Sequence, residues 1–150
     1  MMEKKTINKS IDIQAPKQKV WEVLFDDRFS RIWYVIFSEG THAITDWVQG
    51  STVVFKDSTE CGLLGKVVVN KPFEKLSLEY EGVLMYSKED YDSEMAVSIK
   101  GGLETYVLDE KNGNTLLSIA CDMSPDQFES MSHSWDDALL KVKDLSEQNN

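Results

Sequence analysis

Hydrophobic and polar positions alternate with one period at the start of the chain and with another directly after it. In TINKSIDIQ, Ile7, Ile11 and Ile13 share one parity, which predicts a half-buried first strand. Pro16 then suits the opening turn of a helix, and in PKQKVWEVLFDDRFSRIWYVIF the residues Val20, Val23 and Leu24 follow helical spacing. Phe29, Ile32, Trp33, Ile36 and Phe37 repeat that spacing after a polar break at Asp26 and Asp27, so two short helices in tandem are predicted. The period changes again in THAITDWV, STVVFKD, LLGKVVVN, EKLSLEYEGVLMY, LETYVLDE and TLLSIACDM, which are β-rich runs. Gly50, Lys71-Pro72 and Asn112-Gly113 mark three of the turns, and Asn-Gly between alternating runs signals a two-residue hairpin. A largely antiparallel sheet is expected.

Ser124-Pro125-Asp126-Gln127 announces the last element. It offers an N-cap serine, a proline at the first helical position and a glutamine at N3, with Met123 and Phe128 placed for a hydrophobic staple. From Phe128, the apolar positions Met131, Trp135, Ala138, Val142 and Leu145 make one stripe, roughly 30 Å long at about 1.5 Å per residue. That stripe must lie on the sheet. The most polar stretch, SKEDYDSE at residues 87–94, invites a calcium reading because Asp90, Asp92 and Glu94 alternate as EF-hand ligands do. Counting from Asp90, however, the glycine and closing glutamate of such a loop are replaced by Met95 and Gly101, so a solvated loop is predicted.

Composition narrows the classes further. A chain of 150 residues suits one domain with a sizeable core. The 16 Lys and Arg against 26 Asp and Glu give a formal charge of -10, which argues against nucleic acid as a partner. Cys61 and Cys121 stand apart, without CxxC or Cys/His pairing, and are read as reduced core thiols. MMEKKTINKS has no apolar core of a signal peptide, and no apolar run is long enough to span a bilayer. The expectation is a cytoplasmic protein with no membrane insertion, in which the sequon at Asn8 has no meaning. No internal repeat or low-complexity linker divides the chain.

The order strand, two short helices, strands, long helix has a physical logic, since one helix closes a curved sheet only partly. Several stretches also resemble the START/Bet v1-like superfamily, and within it the proteins similar to the carboxy-terminal domain of the activator of Hsp90 ATPase. They are IDIQAPKQKVWEVL, WVQGSTVVF, KPFEKLSLEY, NGNTLLSI and SWDDALLKVKDL, which together cover nearly the whole chain in the family's order. The resemblance implies an α+β helix-grip fold: a curved antiparallel sheet of about six or seven strands, with the carboxy-terminal helix on its concave face.

For function the resemblance implies less, because this superfamily places lipid and hormone carriers, polyketide cyclases and aromatases, and co-chaperone domains on one scaffold. Trp135, Met131 and Phe128 face the sheet from the last helix. Trp33, Phe37, Phe55, Tyr80 and Tyr106 are candidates for the opposite wall. If these eight line a cavity, aromatic and methionine surfaces with phenolic hydroxyls suit a hydrophobic or amphipathic small molecule. No cofactor or metal is implied. Catalysis has no local motif: His42 and His133 have no nucleophile beside them, and His133 tends away from the apolar stripe. A cofactor-free cyclase-like enzyme stays open as an alternative, favoured if His42, Asp57 or Glu104 is buried at the cavity floor with a shifted pKa. A co-chaperone-like interaction domain is the other alternative, although the Hsp90 activator has a second domain for which 150 residues leave no room. Asp136-Asp137 on the outer helix face is read as a solubility feature. A homodimer is not readable from one sequence.

Overall fold

A computed structural model describes residues 4–148. Strand β1, Lys5–Ile13, buries Ile7 and Ile13 and half-buries Ile11, as the parity predicts. Pro16, at φ -69°, caps helix α1, Lys17–Phe25, and its carbonyl accepts the N–H groups of Lys19 and Val20. The polar break then acts twice. Asp26 takes an extended conformation that ends α1, and its carboxylate accepts the Arg28 N–H to start α2, Asp27–Tyr34.

Helix α2 is rotated from its expected face. It buries Ser30, Trp33 and Tyr34, whereas Ile32 is 42% exposed and Phe29 is half-buried beneath Lys19. The adjacent pair Trp33 and Tyr34 claims the core face, and the helix ends before Ile36 and Phe37, which fold back in the following turn.

The remaining strands are β2 (His42–Ile44), β3 (Thr52–Lys56), β4 (Gly62–Lys71), β5 (Lys75–Met85), β6 (Lys88–Asp90), β7 (Leu103–Lys111) and β8 (Asn114–Met123). All pairings are antiparallel, in the order β1-β8-β7-β5-β4-β3-β2, with β6 beside the end of β5. Asn112 and Gly113, at φ 57° and 82°, make the β7–β8 hairpin turn, both in the left-handed region that this turn demands. Register shifts at Leu64/Gly65 and Val67/Val69 bend the β4–β5 ladder.

The segment predicted as a solvated loop carries more structure than its charge suggests. It forms β6 and leads into helix α3, Glu94–Ile99. Asp90 accepts the N–H groups of Asp92 and Ser93, and the Ser93 hydroxyl accepts the Ala96 N–H, so the acidic run caps a helix. Gly82 makes room for this excursion, because a Cβ there would lie 2.6 Å from the Asp90 carbonyl oxygen.

Helix α4, Phe128–Glu147, is entered through a single 3-10 turn at Pro125–Gln127. The expected Ser124 side-chain cap is absent; the tight turn is closed instead by the Gln127 N–H on the Ser124 carbonyl at 3.1 Å. Trp135, Ala138, Leu139, Val142 and Leu145 are buried. From Asp136 onward α4 is fastened to β1 and the turn after it by hydrogen bonds and an ion pair. Lys143 donates to the Asp12 carbonyl at 2.9 Å, Glu147 accepts the Gln14 N–H at 2.7 Å, and Lys9 pairs with Asp136 at 2.7 Å. Before Asp136 the described contact to β1 is the Lys5 ammonium over the Phe128 ring, and Phe128 and Met131 are only half-buried. Both cysteines are free; Cys121 is buried, but Cys61 is half-buried at the turn before β4 rather than in the core. No described helix is long and apolar enough to cross a membrane.

Candidate functional site

Under the first turns of α4, the concave face is not filled. An inner chamber of about 110 Å³ is lined by Trp33 and Tyr34 of α2, Phe55 of β3, Tyr80 of β5, Tyr106 of β7 and Trp135 of α4. Phe37, from the turn after α2, and Met131 complete its upper wall. Phe37, Phe55, Tyr80 and Met131 also line an outer cleft of about 350 Å³, which continues the chamber towards α3, where Met95, Ser98 and Ile99 form its far side. Together the two volumes reach the size range of small-molecule sites.

Seven of the eight residues singled out from the sequence meet around the inner chamber; Phe128 does not. Phe128 lies one turn too early on α4, outside both cavities, with the Lys5 ammonium 4.5 Å over its ring. Trp135 is the hub of the others: its ring lies 5.0 Å from Phe37, 6.1 Å from Trp33 and 6.1 Å from Tyr106. The Trp33 indole N–H is spent on the Val23 carbonyl at 3.0 Å, which fixes α2 against α1. Among the described residues the Trp135 indole N–H makes no well-formed hydrogen bond; the acceptor beside it is the Cys121 sulfur.

One charged side chain reaches this apolar space. Glu104 of β7 is 8% exposed and lines the inner chamber. Its two carboxylate oxygens each accept a phenolic hydroxyl, one from Tyr80 and one from Tyr106. The Tyr80 hydroxyl also lies 3.4 Å from the Cys121 thiol. Burial pushes the Glu104 carboxyl above its ordinary pKa, against the opposing pull of the two hydroxyl donors. Burial first, and the Glu104 charge second, raise Tyr34 and Tyr106, and the same two causes raise Cys121. No Lys, Arg or His of the described residues lines the chamber.

The other ionisable candidates sit elsewhere. Asp57 is at the lip of the outer cleft, where hydrogen bonds from Thr59 and then Ser38 hold its carboxyl down at about 2. His42 places Nδ1 3.0 Å from the Gly40 carbonyl, and His133 is exposed on α4. Among the described residues no group of His, Cys, Asp and Glu is placed to hold a metal ion.

Tyr34, Thr41, Leu63, Cys121 and Met123 also line the chamber and were not singled out by the sequence. Strand parity carried part of the signal: Cys121 and Met123 alternate in step with Leu117 and Ile119, all buried. Tyr34 and Thr41 had none, since they depend on how α2 rolls and where the following turn folds.

These features define a helix-grip protein with an aromatic cavity beneath its last helix, the fold shared by the START/Bet v1-like superfamily. Solved structures agree at the level of fold. The dimeric Aha1 protein from Colwellia psychrerythraea superposes with a TM-score of 0.73 at 20% identity, covering 95% of this chain and 96% of that one. CalU16 from Micromonospora echinospora gives 0.66 at 14% identity, covering 98% and 87%. DynU16, from the dynemicin biosynthetic locus, gives 0.70 at 16% identity over 95% of this chain; the match spans only 47% of DynU16. No protein-family model matches the sequence, and no curated protein matches it.

Proposed function

We propose that this chain binds a hydrophobic or amphipathic small molecule between its sheet and α4, admitted through the outer cleft. The carrying observation is that chamber and cleft share one aromatic and methionine wall, Phe37, Phe55, Tyr80, Met123 and Met131, beneath the first turns of α4. Apolar walls supply affinity in proportion to area removed from water, and a few polar groups set orientation. Native mass spectrometry of the freshly purified protein, set against its denatured mass, tests this directly. A reproducible excess mass that is lost on denaturation supports the reading. A filling substitution, Leu63→Trp, is expected to abolish that excess while circular dichroism stays unchanged; retention of the excess mass in the filled variant would place the ligand elsewhere.

Glu104 favours a second reading, a cofactor-free acid–base enzyme of the cyclase kind. A carboxyl that burial in an apolar chamber raises above its ordinary pKa suits the role of a general acid or base. The distinguishing result is a co-purified molecule that changes mass during incubation with the wild type and not with Glu104→Gln.

A further inference from the structure

We propose that the inner chamber is built for a protonated amine: the aromatic rings surround the cation, and the Glu104 carboxylate accepts its N–H. This rests on the ligand-binding reading above and assigns the chemical class of the ligand.

Three observations carry it. The first is the wall. Trp33, Tyr34, Phe37, Phe55 and Trp135 meet around about 110 Å³, and such ring faces carry the negative pole of an aromatic quadrupole. The second is the carboxyl. Among the described residues Glu104 has two phenols as partners and no cation, and after accepting one hydroxyl each carboxylate oxygen keeps a free lone pair. A buried carboxylate without a counter-charge is unfavourable, and an ammonium in the chamber supplies that charge.

The third is the route. Of the residues lining the outer cleft only Lys56 is basic, and it is tied to Glu60 at 3.1 Å. Asp57 and Asp122 stand along the same cleft, and the chain as a whole carries -10. An anionic head group is therefore repelled at the mouth and again at the floor, whereas a cation is drawn inward. Its alkyl chain then trails along Met123, Val83 and Ile99 in the outer cleft.

The experiment uses three probes of one chain length on the intact protein: decylamine, decanol and decanoate, titrated at neutral pH by calorimetry. Decylamine is expected to bind about tenfold or more tighter than decanol, a margin in the range of a desolvated cation–aromatic contact, with decanoate weakest. In Glu104→Gln the amine's advantage over decanol is expected to shrink to about threefold or less, with the decanol affinity retained. A wild-type pH series gives the same answer should that variant not fold. The advantage falls as pH is lowered and Glu104 takes up a proton. The titratable groups facing Glu104 are Tyr80 on β5, Tyr106 on its own strand, Cys121 on β8 and Tyr34 on α2. All are raised above their ordinary values, so none becomes charged in that window.

Decanol or decanoate binding as tightly as decylamine would overturn the amine assignment and leave the ligand-binding reading standing. An amine preference that survives Glu104→Gln overturns it as well. Failure of all three probes, with no co-purified ligand, would sink both.

Discussion

At Glu104 two opposing effects share one carboxyl, and burial wins. A carboxylate that loses water without gaining a cation favours its protonated form, and two phenolic donors recover only part of that loss. The sign follows for stability. Because the folded-state pKa is raised, the contribution of Glu104 is fully present below the unfolded value and is lost as pH rises through the folded one. Urea unfolding at a series of pH values is expected to show the wild type losing stability relative to Glu104→Gln as pH increases from about 4 upward. A difference that is flat with pH would mean the carboxyl is not held as described. Trp135 offers a separate check on the same chamber. Its N–H has at best the weak Cys121 sulfur as acceptor, so Trp135→Phe, which removes that donor and keeps a ring, is expected to cost about 1 kcal/mol or less. Trp135→Ala, which merges lost contacts with an existing void, is expected near 3 kcal/mol, the low end for such a truncation. Equal losses in the two variants, read from denaturant midpoints, would contradict a donor so weakly matched. In the sequence, Glu104 stands with His42 and Asp57 as an ionisable candidate for the cavity floor; it shares parity with Tyr106 and Leu108, and that alternation is why it points inward.

At the scale of elements, legibility tracked how many residues repeat a period. Five of the six β-rich runs and the α4 stripe from Trp135 onward repeat theirs often enough to fix type and buried face; THAITDWV does not, and only His42–Ile44 of it forms a strand, with no residue fully buried. Helix α3 buries only Ala96 and Ser98, so its six residues contain too little periodicity to separate it from a loop. Its stability comes from a cap and from docking beside β5, where the Gly101 N–H and the Gly102 carbonyl bond the Tyr80 backbone at 2.9 Å and 2.8 Å. Ser93→Ala is therefore expected to remove about 1 kcal/mol from α3. Hydrogen exchange should quicken at Ala96 and Val97, leaving β8 and the second half of α4 unchanged; equal acceleration across the chain would show that α3 is not a separate cooperative element. Helix α2 was legible as a helix and misread in its face, because spacing alone weighs Ile32 and Tyr34 alike. The phenol of Tyr34, packed 5.9 Å from the Phe55 ring, fits the interior better than an isoleucine on the outer side.

For the whole molecule, order along the chain was enough to indicate a sheet gripped by a helix, since few other layer arrangements bury a single long amphipathic stripe. Whether the grip is filled was not legible. A cavity is a difference between two volumes, the one the curved sheet encloses and the one the side chains occupy, and no single residue carries that difference. The hydrogen bonds and ion pair between α4 and β1 bear on its position: they begin at Asp136, and the void lies beneath the turns before it.

Strand β1 has a further consequence, one that belongs to time rather than to shape. Its ladder runs to β8 alone among the described residues, joining Lys5 to Met123 and Ile13 to Thr115. During synthesis, the first strand therefore has no neighbour until more than a hundred residues have followed it, as the Lys5–Met123 pair shows. The hydrophobic concave surface stays uncovered for the same interval, because α4 is made later still. Closing so long a loop is an entropic cost met before its contacts exist, which places folding in the slower, millisecond-to-second class of sheet-dominated domains. Stopped-flow refolding is expected to show one such phase in which near-ultraviolet dichroism and Trp fluorescence recover together. A fast phase that restores the Trp135 environment ahead of the β1–β8 pairing would reverse that order. If the expected order holds, the cavity does not exist before β8 and α4 are made: it appears at once, when the first strand and the last find each other.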